Sequence, residues 1–364
     1  MSFPKKIAVI GANGFVGSRV VELFHLGGEC EVIPVVRGVS GLPRLSRFEL
    51  DWRMADARDP DALAKALAGC DAAVHSVVGD ARVIETAAAA LLPAAAQAGV
   101  RRVVYLSTAS VHGQNPPAGT SEASALSDRQ DVEYNNAKVR AERTLFRGLQ
   151  NHPLEFIALR PSIVFGPRDR WISTLATELE NNSAWLINQG QGICNTIYVD
   201  NLVHAIRLAL GAAPAALGQA YLVGDAETVT WADFYGRTCD ALGLGRERIH
   251  QVPVPNFPPR NWLDRLDGVR SSPLAQRMIA QVPRRLKRVA KGALKGLKPE
   301  AQPNPWHLPA AARGPGPTPE MVLLQQCGYR LPHVKAERQL NYQPPVSFAE
   351  GLDRTLAWLR WTKS

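Results

Sequence analysis

Cysteine is scarce in this chain, and what there is does not pair. Cys30, Cys70, Cys194, Cys239 and Cys327 show no paired spacing and no C-x-x-C. They are expected as reduced thiols of a cytosolic protein, which argues against a disulfide scaffold. The eight histidines form no cluster with metal-ligand spacing, so no metal is expected. No apolar run reaches the roughly 18 residues of a spanning helix. An apolar strand-like stretch begins at Lys6, leaving no room for a signal peptide before it. Basic stretches lack interleaved aromatics and no recognition motif appears, which argues against nucleic acid as a partner. Carboxylates are also missing from Val32 to Arg47, and that local absence bears on the cofactor.

With 364 residues, 46% of them hydrophobic, the chain can bury a full core in one large domain plus a smaller lobe. Lys6 to Ile10 reads as a buried strand, followed at once by Gly11-Ala12-Asn13-Gly14-Phe15-Val16-Gly17 and by helical spacing from Ser18 to Leu26. Such a turn cradles a dinucleotide pyrophosphate: Gly11 permits the tight turn, Gly14 the approach of backbone to phosphate, and Gly17 close helix packing. A second strand, Glu31 to Val36, ends at Arg37. An acidic residue in this register would bond a ribose 2′-hydroxyl, whereas an arginine suits a 2′-phosphate. NADP is therefore the expected cofactor, with NAD as second choice. Further strands are expected at Phe48 to Met54, Ala72 to Val77, Arg102 to Ser107 and Leu154 to Leu159. Helices are expected at Pro60 to Ala68 and Ala87 to Ala98, the latter kinked or divided at Pro93. This alternation predicts an α/β fold, a doubly wound parallel sheet of Rossmann type.

Tyr134 and Lys138 stand one helical turn apart. A phenol with its ordinary pKa of about 10 is a poor base at neutral pH. An ammonium at i+4 favours the phenolate and makes proton exchange with an alcohol oxygen feasible. Together with the glycine turn, the pair points to hydride chemistry at a hydroxyl- or keto-bearing carbon.

At this point the chain resembles the extended short-chain dehydrogenase/reductase family, which includes the NAD-dependent epimerases and dehydratases. The resemblance covers about residues 5 to 250. It rests on the Gly11 to Gly17 turn, Asp56, Leu106 to Gly113, Tyr134 with Lys138, Leu159 to Pro167, and Ile197 to Leu202. It implies that Thr108 hydrogen-bonds the reacting oxygen, with Ser107 and Ser110 as competitors. It also implies that Tyr134 is the acid/base, and that Lys138 binds the nicotinamide ribose while lowering the tyrosine pKa. Asp56 would meet the adenine amine, and Arg160 and Pro161 would shape the cofactor wall. The implied cofactor contacts are Gly11, Asn13, Gly14, Phe15, Val16, Gly17, Arg37, Asp56, Ala57, Ser107, Tyr134, Lys138, Arg160 and Pro161. His75 falls near the family's pyrophosphate histidine, or is a structural residue at a strand end. The chain departs from the pattern at Ile84, where asparagine is usual, and at His112, where tyrosine is common. At Cys194, nucleotide-sugar enzymes place an arginine that grips the diphosphate. A planar bidentate donor is the chemistry a diphosphate calls for. Either Arg168 or Arg170 replaces it, or the substrate carries no diphosphate there.

Charge is unevenly spread. Residues 260–298 hold eleven Arg or Lys against Asp264 and Asp267, a local balance of 11 − 2 = +9, equal to the net charge of the whole chain. Within 284–298, apolar residues recur at helical spacing among basic ones, which suits an anionic membrane surface or a packed lobe face. Thirteen of the 27 prolines fall between Pro253 and Pro319, marking an irregular segment expected to cover the substrate cleft. Helical pieces are expected at Val334 to Leu340 and Phe348 to Trp361. The expected organisation is a dinucleotide-binding domain at 1–165, completed by parts of 193–225. A mostly C-terminal substrate lobe would comprise 166–192 and 226–364. Expected partners are a small-molecule substrate, an anionic membrane touched peripherally through 284–298, and a second copy in a homodimer. The expected location is cytoplasmic, peripheral on the inner membrane surface. Family breadth favours a sugar-type epimerase, dehydratase or ketoreductase. The alternative is 3β-hydroxysteroid dehydrogenase-like chemistry on a lipidic or terpenoid alcohol, and the remote one a non-enzymatic dinucleotide-binding regulator.

Overall fold

Short apolar runs alternating with amphipathic stretches can bury both faces of a sheet only if helices return the chain to the same sheet edge. The computed structural model describes residues 3–152, 154–255 and 316–363. The elements in order are β1 (Lys6–Ile10), α1 (Phe15–Gly27), β2 (Glu31–Val36), β3 (Arg53–Met54), α2 (Pro60–Leu67), β4 (Ala72–His75) and α3 (Ala81–Gln97). They continue with β5 (Arg102–Leu106), α4 (Glu133–Gly148), β6 (Glu155–Pro161), β7 (Ile163–Phe165), α5 (Arg170–Glu180), β8 (Ala184–Ile187) and β9 (Thr196–Tyr198). Last come α6 (Val199–Leu210), β10 (Gln219–Val223), α7 (Trp231–Ala241), β11 (Ile249–Val252), α8 (Pro319–Gln325), α9 (Val334–Leu340) and α10 (Phe348–Lys363). The basic stretch 284–298 lies outside the described residues, as does all but the two ends of the proline-rich segment 253–319.

Seven strands form one parallel sheet in the order β10-β6-β5-β4-β1-β2-β3. Alternate residues of each strand face opposite layers. Ile7 and Val9 of β1 pack with Val20, Val21 and Phe24 of α1 and Leu202 and Ile206 of α6. Ala8 and Ile10 face the other way, toward Leu63 of α2, Leu91 of α3 and Leu145 of α4. This is the doubly wound arrangement. Each such fully buried aliphatic or phenyl side chain contributes about 1.5–3 kcal/mol. The strand order reverses between β1 and β4, the point where a crevice opens beyond the strand ends.

A separate apolar cluster joins Phe165 of β7, Ile172 of α5, Trp231 and Phe234 of α7, and Phe348 and Leu352 of α10. The pairs β7–β9 and β8–β11, both parallel, edge this cluster. Asp225 ties it to the sheet: its carboxylate accepts from the Tyr198 backbone N–H, Thr196 Oγ1 and Asn201 Nδ2. Asn201 in turn exchanges two hydrogen bonds with the Val346 backbone, anchoring the approach to α10.

Three expected elements differ from the sequence reading. The third strand is only Arg53–Met54, because Leu45 to Phe48 turns (Phe48 N–H to Leu45 O, 3.0 Å) and the Phe48 ring packs on His25 at 5.1 Å. Helix α1 starts a turn earlier than Ser18, with Gly14 as its extended N-cap. Helix α3 starts at Ala81, where the Asp80 side chain accepts from the Val83 N–H at 2.9 Å, and Pro93 does not divide it. Pro93 and Ala89 are both exposed, so the carbonyl that loses its donor faces water.

Candidate active site

The crevice is built first from the turn after β1. Gly11 has φ +82°, left-handed backbone that favours glycine. Its N–H donates to the Val35 carbonyl at 3.1 Å, and the Gly14 N–H to the Gly11 carbonyl at 3.0 Å. At Gly17 a Cβ would run into the Gly11 carbonyl oxygen and come 2.8 Å from Ser76 Oγ. Ser76 Oγ donates to the Ile10 carbonyl at 2.8 Å and so closes the strand end against the turn. No acidic residue occupies the first turn of α1, which leaves the positive helix end open to an anion. Asn13 is exposed, Phe15 leans on the lobe cluster, and Val16 lines the main cavity. These residues fit a pyrophosphate.

Arg37 is exposed directly after β2. Asp56 is gripped by Arg58, whose Nε donates to Oδ1 at 2.9 Å. That hydrogen bond, with a smaller share from the nearby Arg37 charge, pulls the Asp56 carboxyl down to about 2. Ala57 is buried beside it. A carboxylate does lie near the crevice end of β2, then, but it is already paired with an arginine.

A cavity of about 340 Å³ opens from this crevice toward the lobe. Its floor is Ser107 to Ser110, Tyr134, Lys138 and Pro161; its far wall is mostly apolar, with Trp171, Ile193, Trp231, Leu324 and Leu331. Helix α4 carries both Tyr134 and Lys138 to the floor. Lys138 is buried, donates from Nζ to the Leu106 carbonyl at 2.9 Å, and stands 5.1 Å over the Tyr105 ring. Burial pushes its ammonium down to about 8, opposed by the Glu142 carboxylate. Burial also pushes the Tyr134 phenol up to about 12, opposed by a hydrogen bond from Thr108 and reinforced by the Glu320 charge. The phenol is thus raised rather than lowered as the Tyr134–Lys138 spacing suggests, and the Lys138 ammonium is engaged by a backbone carbonyl.

The three competing hydroxyls separate. Ser107 is buried and its Oγ donates to Glu142. Thr108 Oγ1 sits 2.8 Å from Ser110 Oγ and accepts the Ser110 N–H at 3.2 Å. Arg160 is buried with its guanidinium on Glu142 (2.6 Å) and His112 Nε2 (3.1 Å), while Pro161 follows the cavity wall. That contact and burial push His112 down to about 4, burial being the larger cause. Glu142 is thus the hub behind Ser107, Arg160 and Lys138, and sequence reasoning missed it. The signal was present: Glu142 stands four residues beyond Lys138 on the same helix face. Glu320 and Gln114 were missed as well. They meet across the cavity mouth at 2.8 Å although 206 residues apart, and no sequence spacing announces that. Asn195, another lining residue, holds the chain after α8 by accepting the Leu331 N–H at 2.9 Å and donating to the Tyr329 carbonyl at 3.0 Å.

The departures also find places. Ile84 is buried in the apolar face of α3. His75 is buried, stacked on Tyr105 at 5.3 Å, and burial pushes it down to about 3, so it is a neutral packing residue. Cys194 is 1% exposed inside the lobe cluster. Arg168 lines a different recess with Phe15, Arg19 and Trp358, and Arg170 is exposed at the start of α5. Among the described residues, Lys138 is the sole lysine or arginine lining the main cavity.

Residues 7–224 match the NAD dependent epimerase/dehydratase family. The 3beta-hydroxysteroid-dehydrogenase/decarboxylase isoform 2 of Arabidopsis thaliana is 25% identical over 322 residues, covering 83% of this chain and 50% of that protein. This chain therefore spans about half the length of that relative. The 3 beta-hydroxysteroid dehydrogenase/Delta 5-->4-isomerase of Mycobacterium tuberculosis is 30% identical over 266 residues, covering 65% of this chain and 70% of that one. Among solved structures, DesIV, a dTDP-glucose 4,6-dehydratase from Streptomyces venezuelae with NAD bound, superposes with a TM-score of 0.69 at 21% identity, over 98% of both chains. Among the described residues no helix is long and apolar enough to cross a membrane. From the glycine turn through β10, the chain belongs to the NAD dependent epimerase/dehydratase family and is, as its members are, an NAD(P)-dependent enzyme.

Proposed function

We propose that this chain is an NADP(H)-dependent dehydrogenase or ketoreductase acting on a ring-bearing, lipid-like alcohol or ketone of steroid or terpenoid type. The observation that carries the reading is the cavity wall: tryptophan and aliphatic side chains, with Cys194 buried where a sugar nucleotide would need an arginine. Apolar rings suit such a wall, whereas a diphosphate would be left without a bidentate partner. The hydroxysteroid relatives support the same choice over the sugar-type reading that family breadth favours.

The cofactor, when bound, supplies the hydride acceptor or donor. The chain's own residues do the rest. Thr108, with Ser110, holds the reacting oxygen. Tyr134 takes the hydroxyl proton as the carbon gives up its hydride, and returns a proton in the reverse direction. Lys138, deep in the floor with its Nζ on the Leu106 carbonyl, is placed to meet the nicotinamide ribose. Arg37, with no carboxylate following it until Glu49, supports NADP over NAD. The division into a dinucleotide-binding part and a substrate lobe, a homodimeric state, and a cytoplasmic location with peripheral membrane contact remain parts of this proposal.

The test is steady-state kinetics on a 3β-hydroxysteroid and on dTDP- or UDP-glucose, each with NADP and with NAD. Turnover of the steroid with kcat/KM at least tenfold higher for NADP is expected, with the preference reversed or lost in Arg37→Asp. Turnover of the sugar nucleotide alone would replace this reading by the sugar-type one.

A further inference from the structure

The far wall of the cavity holds two indoles, and their N–H groups are used differently. Trp231 donates from Nε1 to the Leu324 carbonyl at 3.1 Å, which ties α7 to the end of α8. The Trp171 indole N–H has no hydrogen-bond partner among the described residues. Trp171 belongs to the first turn of α5, and buried Asp169 holds that turn in place. The Asp169 carboxylate accepts the Gly166 and Ile172 N–H groups, each at 2.8 Å. The Trp171 ring also leans on Trp231, with centroids 6.3 Å apart and planes tilted by 51°. The ring is therefore placed from two sides while its donor stays unused. The other polar groups that line this end are engaged. Asn195 donates to the Tyr329 carbonyl and accepts the Leu331 N–H, and Cys327 Sγ donates to the Tyr329 carbonyl at 3.3 Å. Thr108 and Ser110, and Ser162 next to Pro161, belong to the floor.

We infer that Trp171 is a specificity-determining residue whose indole N–H takes a second, uncharged oxygen of the substrate, a carbonyl or hydroxyl on the ring farthest from the reacting carbon. The inference rests on the ring-bearing, lipid-like reading above and narrows it to substrates oxygenated at both ends. The reacting oxygen fixes one end at Tyr134 and Thr108, so a rigid ring system carries its other end toward the far wall. An indole only donates, so it recognises an acceptor oxygen and gains nothing from a methyl or methylene group. A mostly apolar cavity with a few placed polar groups uses those groups to orient its ligand. A charged oxygen would find no counter-ion at this wall, since Lys138 in the floor is the sole lysine or arginine lining the cavity among the described residues. Trp171 is half-buried and open to water, so the bond exchanges one partner for another. It is therefore worth about three- to tenfold in affinity, far below the factors of a fully buried donor. The contact is the same before and during hydride transfer, so it acts on KM and leaves kcat alone.

The experiment uses the full chain with NADP and two 3β-hydroxysteroids of the same shape, one 17-oxo and the other 17-methylene. Steady-state kinetics is measured together with displacement of the neutral dye Nile red from the cavity. Wild type is expected to use the 17-oxo compound with a KM lower by about threefold or more and an equal kcat. Trp171→Phe keeps a ring, removes the N–H and is expected to bring the two KM values together. Equal KM values in wild type overturn the inference whether or not the variant folds, and so does a preference that Trp171→Phe retains. Either result leaves the dehydrogenase reading in place. The same preference in dye displacement without oxidation, lost in Trp171→Phe, sinks the dehydrogenase reading and leaves the indole contact standing. Failure of both compounds to displace the dye overturns both.

Discussion

At the scale of single residues, the floor of the cavity trades stability for chemistry. Lys138 is buried, and its ammonium is held down to about 8 from an ordinary value near 10.5. A lysine that is harder to protonate folded than unfolded costs stability where both states are charged. The sign follows from linkage: between about pH 8 and 10.5 the unfolded chain binds the extra proton, so stability rises with pH through that window. Lys138→Met should therefore stabilise the fold by about 2 kcal/mol at neutral pH, on the order of the shift at 1.36 kcal/mol per pH unit less the lost hydrogen bond. Denaturant melts at pH 7 and at pH 10 check it: the gain should shrink at the higher pH, and turnover should be lost at both. Tyr134→Phe removes only the hydroxyl proposed to transfer the proton. It should keep the melting temperature and cofactor affinity but lower turnover by about 10²–10⁴-fold. Turnover within threefold of wild type would mean that another group moves the proton.

At the scale of elements, the strand–turn–helix unit at the start of the chain concentrates the requirement for glycine. Gly17 faces the Gly11 carbonyl and Ser76 Oγ, whereas Gly27 at the other end of the same helix has nothing within 4 Å of a built Cβ. Gly17→Ala should separate α1 from β1, cost about 1–3 kcal/mol and weaken dinucleotide binding at least tenfold. Gly27→Ala should be neutral or slightly stabilising. Calorimetric titration of both variants with NADP tests the pair, and equal affinities would contradict the packing argument. This unit was legible in the sequence because its signals are local: β1, the glycines and α1 are consecutive. Tyr134 and Lys138 were legible for the same reason, one turn apart on α4. Pro93 misled because the carbonyl it leaves without a donor belongs to exposed Ala89, where water can take the donor's place, while the buried side of α3 holds the helix together. The strand expected from Phe48 shrank to Arg53–Met54 because its apolar residues serve the edge of the sheet instead, Phe48 packing on His25. Glu320, Gln114 and Asn195 could not be found from spacing, since tertiary packing alone brings α8 over the Thr108 loop. Glu142 could have been found, but a carboxylate on a helix reads as solvated unless the arginine opposite, Arg160 on β6, is known to be there.

At the scale of the whole molecule, the excess charge is confined to one stretch of sequence. The balance of +9 over residues 260–298 equals that of the full chain, so the remainder is neutral and has no reason to seek an anionic surface. Within it, Leu286, Val289, Ala293, Leu294 and Leu297 recur at helical spacing, with Arg284, Arg285, Lys287, Arg288, Lys291, Lys295 and Lys298 between them. A helix of that pattern would sink its apolar side into the headgroup boundary while each well-placed basic residue adds about 1 kcal/mol of attraction to anionic lipid. A peripheral site of this kind would serve an enzyme whose substrate partitions into the bilayer, which links the basic stretch to the apolar cavity. The attraction is screened within about a Debye length, roughly 10 Å at 0.1 M salt, so binding should fall steeply with ionic strength. Co-sedimentation with phosphatidylcholine vesicles and with vesicles containing phosphatidylserine, each at 20 mM and 300 mM salt (roughly bracketing that length), separates the cases. The chain should sediment with the anionic vesicles at low salt and be released at high salt, and replacing Arg284, Arg285, Lys287 and Arg288 with glutamine should abolish the binding. Absence from anionic vesicles even at low salt would reject the membrane contact, and with it this support for a lipid-like substrate.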